Sequence, residues 1–199
     1  AWSQEVRARL LLRQDRFAPA AGLAANAALI FREQGEDLER QCAELTQADA
    51  LIRLDALDAA GNLLQSLDRT PLSNSTCSIR LQGLLAGLAL RRSASEGIDA
   101  YREAIQQART VGALDLEAEF ALDLGESVLD QADIAGAEGM LAIARQWNPS
   151  YYRVLQLSER LASVRGQTQE ALVLQERLRH DYPEVWHVLG APASRPPVP

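Results

Sequence analysis

AEFALDLGESVLDQADIAGAEGMLAIARQWNPSY, residues 118–151, runs without a gap into YRVLQLSERLASVRGQTQEALVLQERLRHDYPEV, residues 152–185. Laid over each other at a spacing of 34, the two stretches match Ala137 to Ala171 and Pro149 to Pro183. Apolar residues recur through both at helical spacing, and nowhere in the chain does strand-like alternation persist. Each proline follows the second helix of its stretch and stops it. Each small Ala belongs where two paired helices come closest, because a larger side chain would hold them apart.

Working outward, breaks fall near Gln14–Arg16, Gln34–Glu36, Asp55, Thr70–Ser75, Arg92–Ser95, Thr110–Gly112, Ala132, Asn148–Ser150, Gly166 and Tyr182–Pro183. They cut the chain into about ten helices of roughly 12–18 residues joined by short turns. Short turns force antiparallel neighbours, so the expected unit is the helical hairpin. Weaker copies precede the two clear ones. RQDRFAPAAGLAANAALIF carries Phe17, Ala20 and Ala27; LDALDAAGNLLQSL carries Leu57, Ala60, Leu64 and Leu67; SASEGIDAYREAIQQA carries Gly97, Tyr101 and Ala104. The small positions then run Ala20, Ala60, Gly97, Ala137 and Ala171, at spacings of 40, 37, 40 and 34.

With those residues in place, the chain resembles the tetratricopeptide repeat, whose pattern is W-x2-LG-x2-Y, then A-x3-F, then Pro. Residues 118–151 give Ala121-x2-Leu124-Gly125-x2-Val128, Ala137-x3-Leu141 and Pro149, with aliphatics where the family has aromatics. Residues 152–185 keep Gly166 at the turn, Ala171 and Pro183, but place Ser158-Glu159 at Leu-Gly and Gln175 at Phe. The resemblance spans about residues 1–185 and implies an all-α fold: an α-solenoid of about five antiparallel hairpins wound as a right-handed superhelix, its first helices lining a concave groove. One domain is expected over residues 1–189, followed by GAPASRPPVP, residues 190–199, as a Pro-rich linker or disordered tail.

Composition narrows function. All 20 basic residues are Arg, so no Schiff base, Walker-type lysine or Ser-Lys dyad is available. An all-Arg chain suits a GC-rich bacterial source. The net charge of −7 argues against a nucleic-acid surface. The longest uncharged run near the start, Phe17 to Phe31, is 15 residues and too short to span a bilayer. The chain opens at Ala-Trp without Met or a signal peptide, as a processed chain or a piece of a larger one. No G-x-S-x-G, G-x-G-x-x-G or H-E-x-x-H occurs, and no cofactor is implied. His180 and His187 stand seven apart, but Pro183 between them breaks the helix that a metal pair would need. Arg91-Arg92 reads as a solvated helix end, and Asn74-Ser75-Thr76, formally a glycosylation sequon, as the cap of the helix entering at Cys77. Trp2, Trp147 and Trp186 read as packing anchors, Trp186 as cover for the last hairpin.

Charge is unevenly placed. Residues 110–144 hold eight acids and no Arg, whereas residues 145–199 hold seven Arg and five acids. Glu119, Asp123, Glu126 and Asp130 lie at i, i+4, i+7 and i+11, one stripe of one first helix. Arg153 and Arg160 follow Glu119 and Glu126 by 34, which predicts two pairs across adjacent helices and leaves Asp123 and Asp130 unmatched. These six residues form the candidate partner-binding groove, and its ligand is expected to carry a basic segment. Cys42 and Cys77 lie near the same end of neighbouring first helices. Helices pack about 8–10 Å apart, slightly beyond the roughly 7 Å that a disulfide's Cα atoms tolerate, so two buried thiols are the plainer expectation and a bond the alternative. Either cytoplasm or periplasm suits such a chain, with the cytoplasm slightly ahead. The function expected is a non-catalytic protein- or peptide-binding scaffold within a larger bacterial regulatory or assembly protein. The alternative is a ligand- or peptide-sensing domain of a signalling protein or transcription activator.

Overall fold

The computed structural model describes residues 1–67 and 76–189. Among them the chain is all α-helix, in eleven helices that pack in adjacent pairs. They are α1 (Trp2–Arg13), α2 (Phe17–Gln34), α3 (Asp37–Arg53), α4 (Leu57–Ser66), α5 (Thr76–Arg92), α6 (Ala94–Thr110), α7 (Leu114–Asp130), α8 (Ile134–Trp147), α9 (Tyr152–Val164), α10 (Thr168–Asp181) and α11 (Pro183–Leu189). The expected breaks separate these helices wherever the chain is described. The Pro-rich tail, and Asn74 and Ser75 of the sequon, lie outside the described residues.

One joint recurs. Asp15, Gly35, Asp55, Gly112, Ala132 and Gly166 each hold a left-handed backbone, with φ between 56° and 74°. Directly after each, an amide donates back to a carbonyl five residues earlier: Arg16 to Leu11, Glu36 to Phe31, Ala56 to Leu51, Ala113 to Ala108, Asp133 to Val128 and Gln167 to Ala162, all at 2.9 Å. This is the Schellman stop, which satisfies the last helical carbonyls and turns the chain back on itself. Glycine enters that conformation freely; Asp and Ala pay a steric cost there. The next helix can begin at once, and α8 does so through Asp133, whose carboxylate accepts from the Gly136 amide at 2.9 Å.

By its contacts the chain divides into two compact units, Ala1–Leu124 and Gly125–Pro199. In the first, α2 buries Ala20, Ala24 and Ala27 completely, and such small faces let α1 and α3 close on it. Leu45, Ala48, Ile52, Ala60 and Leu64 join α3 to α4, and Leu81 and Leu88 of α5 pack on the same cluster. There α3 also lies against α1 and α5, the helices two places away. In the second unit, Tyr152, Leu155, Leu178 and Val185 form the centre, and Trp186 packs on it as expected of a cover. The five small positions are buried: Ala20, Ala60 and Ala137 have no exposed surface, Ala171 is 5% exposed, and Gly97 is enclosed. A Cβ on Gly125 would sit 3.8 Å from the Ala137 carbonyl and 2.9 Å from Leu157, so the end of α7 closes on α8 and α9 there.

Candidate partner-binding site

The acidic stripe lies on α7 as the periodicity requires, three of its residues half-buried and Asp130 exposed. Three of its residues have partners other than the expected ones. Asp123 is not unmatched: within the first unit it accepts from Arg53 of α3 at 3.3 Å and from the Tyr101 hydroxyl of α6 at 3.3 Å. Asp130 is not unmatched either, because Arg160 of α9 bonds to it at 2.6 Å rather than to Glu126. Glu126 accepts from Arg153 at 2.9 Å. Glu119 too has an interaction of its own. The reason for the correction is register. A 34-residue spacing says which residues are equivalent, not which ones touch. α9 meets α7 with Leu157 against Gly125, an offset of 32, and its arginines pair at offsets of 27 and 30.

Burial grades these pairs. The Arg153 side chain is only 5% exposed beside Glu126, whereas Asp130 is 62% exposed beside Arg160. The first is an enclosed ion pair whose disruption costs more than that of a surface pair. The second is a surface pair contributing at most about 1 kcal/mol.

The cysteines are bonded. Cys42 of α3 and Cys77 of α5 form a disulfide with their Cα atoms 5.8 Å apart. The expectation of two thiols compared an axis-to-axis distance with a Cα criterion. Cα atoms ride about 2.3 Å off each axis, so facing residues of packed helices come within bonding range.

Other singled-out residues behave as surface or packing groups. Arg91 and Arg92 reach Asp55 and Asp58 at 3.9 and 3.7 Å across exposed ground. The exposed His180 ring bonds Asp181 at 2.9 Å, and with Arg177 it holds that carboxyl below its ordinary range. The His187 side chain lies outside the described residues, among which no cluster of His, Cys, Asp and Glu could hold a metal. No described helix is long and apolar enough to cross a membrane. Trp147 stacks edge-on against Tyr151, with centroids 5.4 Å apart, and Trp2 does the same against Phe31 while remaining 59% exposed.

Two polar features escaped the sequence reading. In the second unit, α8 and α9 line a cleft of about 210 Å³ to which Leu141 and Leu161 contribute. Among its lining residues Arg145 donates to Ser158 at 2.9 Å, and Arg165 pairs with Glu138. In the first unit, a polar knot sits where α1, α3 and α5 meet. Glu5 is 3% exposed, pairs with Arg9 and accepts from the fully buried Thr46 hydroxyl at 3.3 Å. Arg80 of α5 points both terminal nitrogens at that same hydroxyl, each at 3.3 Å. Burial first, and then the neighbouring Arg9, push the Arg80 guanidinium below its ordinary pKa. Gln41 of α3 is wholly buried, with neither amide atom hydrogen-bonded among the described residues. The available signal was a Glu, a Thr or a Gln on an otherwise small, apolar helical face, which a search for named motifs passes over.

Compared with protein-family models, with curated proteins and with solved structures, the chain gives no match.

Proposed function

We propose that the chain is a non-catalytic protein- or peptide-binding module, an α-solenoid of hairpins similar to the tetratricopeptide repeat, working within a larger bacterial regulatory or assembly protein. The observation that carries this reading is the repetition of one joint. Left-handed stops at Asp15, Gly35 and Asp55 stand 20 residues apart, as do those at Gly112 and Ala132. A chain that repeats helix, stop and helix, and sets α3 against both α1 and α5, is assembled as stacked modules do it, each covering the apolar face of the last and leaving long faces for partners. Rigid helices lose little entropy on binding. A basic segment would enter at Asp130, displacing Arg160 from the most exposed pair of the stripe. The Cys42–Cys77 bond favours an oxidising compartment and moves the reading from the cytoplasm toward the periplasm.

The test is an array of basic, acidic and neutral apolar peptides probed with the intact chain at low and high salt. The expected result is selective capture of the basic set, weakening as salt screens exposed charges over about 8 Å and weakened again by Asp130→Asn. Capture of no set would overturn the binding reading. Capture indifferent to peptide charge and to Asp130→Asn would overturn the basic-segment version.

A further inference from the structure

Half of α1 is left uncovered by the rest of the described chain. Among the described residues α1 packs against α2 and α3. It buries Glu5, Ala8 and Leu11, a row at i, i+3 and i+6. The opposite row is apolar as well: Trp2, Val6 and Leu10, at i, i+4 and i+8, are each more than half exposed. Exposed apolar side chains scattered singly need no explanation, but three in one row make a continuous stripe. Arginines border it. Arg9 lies three residues past Val6, and Arg7 and Arg13 stand three residues either side of Leu10, all of them exposed. Glu5, the only acid of the helix, is buried and pairs with Arg9. The exposed face of α1 is therefore apolar along its middle and cationic along its edges. Trp2 is held edge-on against Phe31, so its ring loses little freedom when it is covered.

We propose that this face docks an amphipathic helix of a partner protein, one whose own apolar row is bordered by Glu or Asp. The partner's apolar row covers Trp2, Val6 and Leu10, and its acids meet Arg7, Arg9 and Arg13 at the edges. Flanking charges of this kind select the partner at a two-helix seam. Charge also decides against two other occupants. A second copy docked α1 to α1 would bring arginine edges against arginine edges, because a two-fold contact presents the same patch on both sides. A membrane would have to hold a chain of net −7 on three apolar side chains, and anionic lipid repels that charge. The proposal goes beyond the basic segment at Asp130: it uses the other unit of the chain and a ligand of opposite charge. An acidic peptide without an apolar row does not satisfy it, so the two tests stay separate.

The experiment titrates the intact, disulfide-bonded chain with a synthetic peptide of roughly 18 residues, long enough to hold a helix, bearing a Leu row with Glu on both sides. Its controls replace every Glu by Lys, or every Leu of the row by Ser. Binding is read by calorimetry and by tryptophan fluorescence. The expected result is saturable binding of the Glu peptide with a blue shift, and binding weaker by about ten-fold or more for both controls. Trp2→Phe should remove the shift and keep most of the affinity. Val6→Ser with Leu10→Ser should weaken binding by about ten-fold or more while leaving the unfolding midpoint unchanged, since both side chains are exposed. Arg7→Glu with Arg13→Glu should reverse the preference, so that the Lys peptide binds better than the Glu peptide. No saturable binding of the Glu peptide, or binding indifferent to both double variants, would overturn the proposal. So would a dimer, seen by sedimentation, that Val6→Ser with Leu10→Ser dissolves, which would assign the face to a second copy. Flotation with phosphatidylglycerol vesicles, abolished by the same variant, would overturn it in favour of a membrane.

Discussion

Ala137 has no exposed surface, and its carbonyl lies where a side chain on Gly125 would begin. Ala137→Leu therefore overpacks the α7–α8 contact and should destabilise by about 1–3 kcal/mol. An unchanged denaturation midpoint would remove Ala137 from that contact. Gln41 is the opposite case, a buried amide without a hydrogen-bond partner among the described residues. Gln41→Met keeps the length and drops the polar atoms, so stability should rise by roughly 1–2 kcal/mol; a fall would show that the amide is satisfied. The α7 acids separate by burial. Glu126→Gln weakens the enclosed pair with Arg153 and should cost about 1–3 kcal/mol. Asp130→Asn at the solvent-facing pair should cost under about 1 kcal/mol. Equal losses in urea unfolding would refute the grading.

Among the elements, the helix stops are the most uniform feature, and they are unevenly optimised. Three of the six left-handed positions are Gly; two are Asp and one is Ala. Asp tolerates that conformation through its short polar side chain, and Ala has no such compensation. Ala132→Gly should raise stability by about 0.5–1 kcal/mol, net of the entropy glycine costs in the unfolded chain. Asp15→Gly and Asp55→Gly should gain less. Thermal melts of the three variants give the order directly, and a destabilised Ala132→Gly would mean that its methyl is needed where it stands. The stops were legible as breaks because turn residues and lapses of apolar periodicity are local signals. Their common left-handed geometry was not, since Asp and Ala do not announce it.

At the scale of the molecule, the disulfide ties α3 to α5 across 35 residues of chain. Closing a loop of that length removes unfolded-state entropy worth up to about 4 kcal/mol. Reduction should lower the unfolding midpoint, and intact mass should rise by two hydrogens on reduction. Thiols that label in the native, unreduced protein would contradict the bond.

The sequence by itself determined where helices run, where they stop, and which small residues sit at close approach, from Ala20 to Ala171. Those are consequences of local periodicity, turn chemistry and side-chain volume, which act over a few residues. Only the tertiary structure decided that Asp123 meets Arg53 and Tyr101, that Arg160 meets Asp130, that the cysteines bond, and that Arg80 reaches the Thr46 hydroxyl. Each depends on how far one helix slides along another. A slide of a single turn costs the repeat pattern nothing yet exchanges every charged partner, so interhelical register is set by packing of the whole and not by the spacing of residues along the chain.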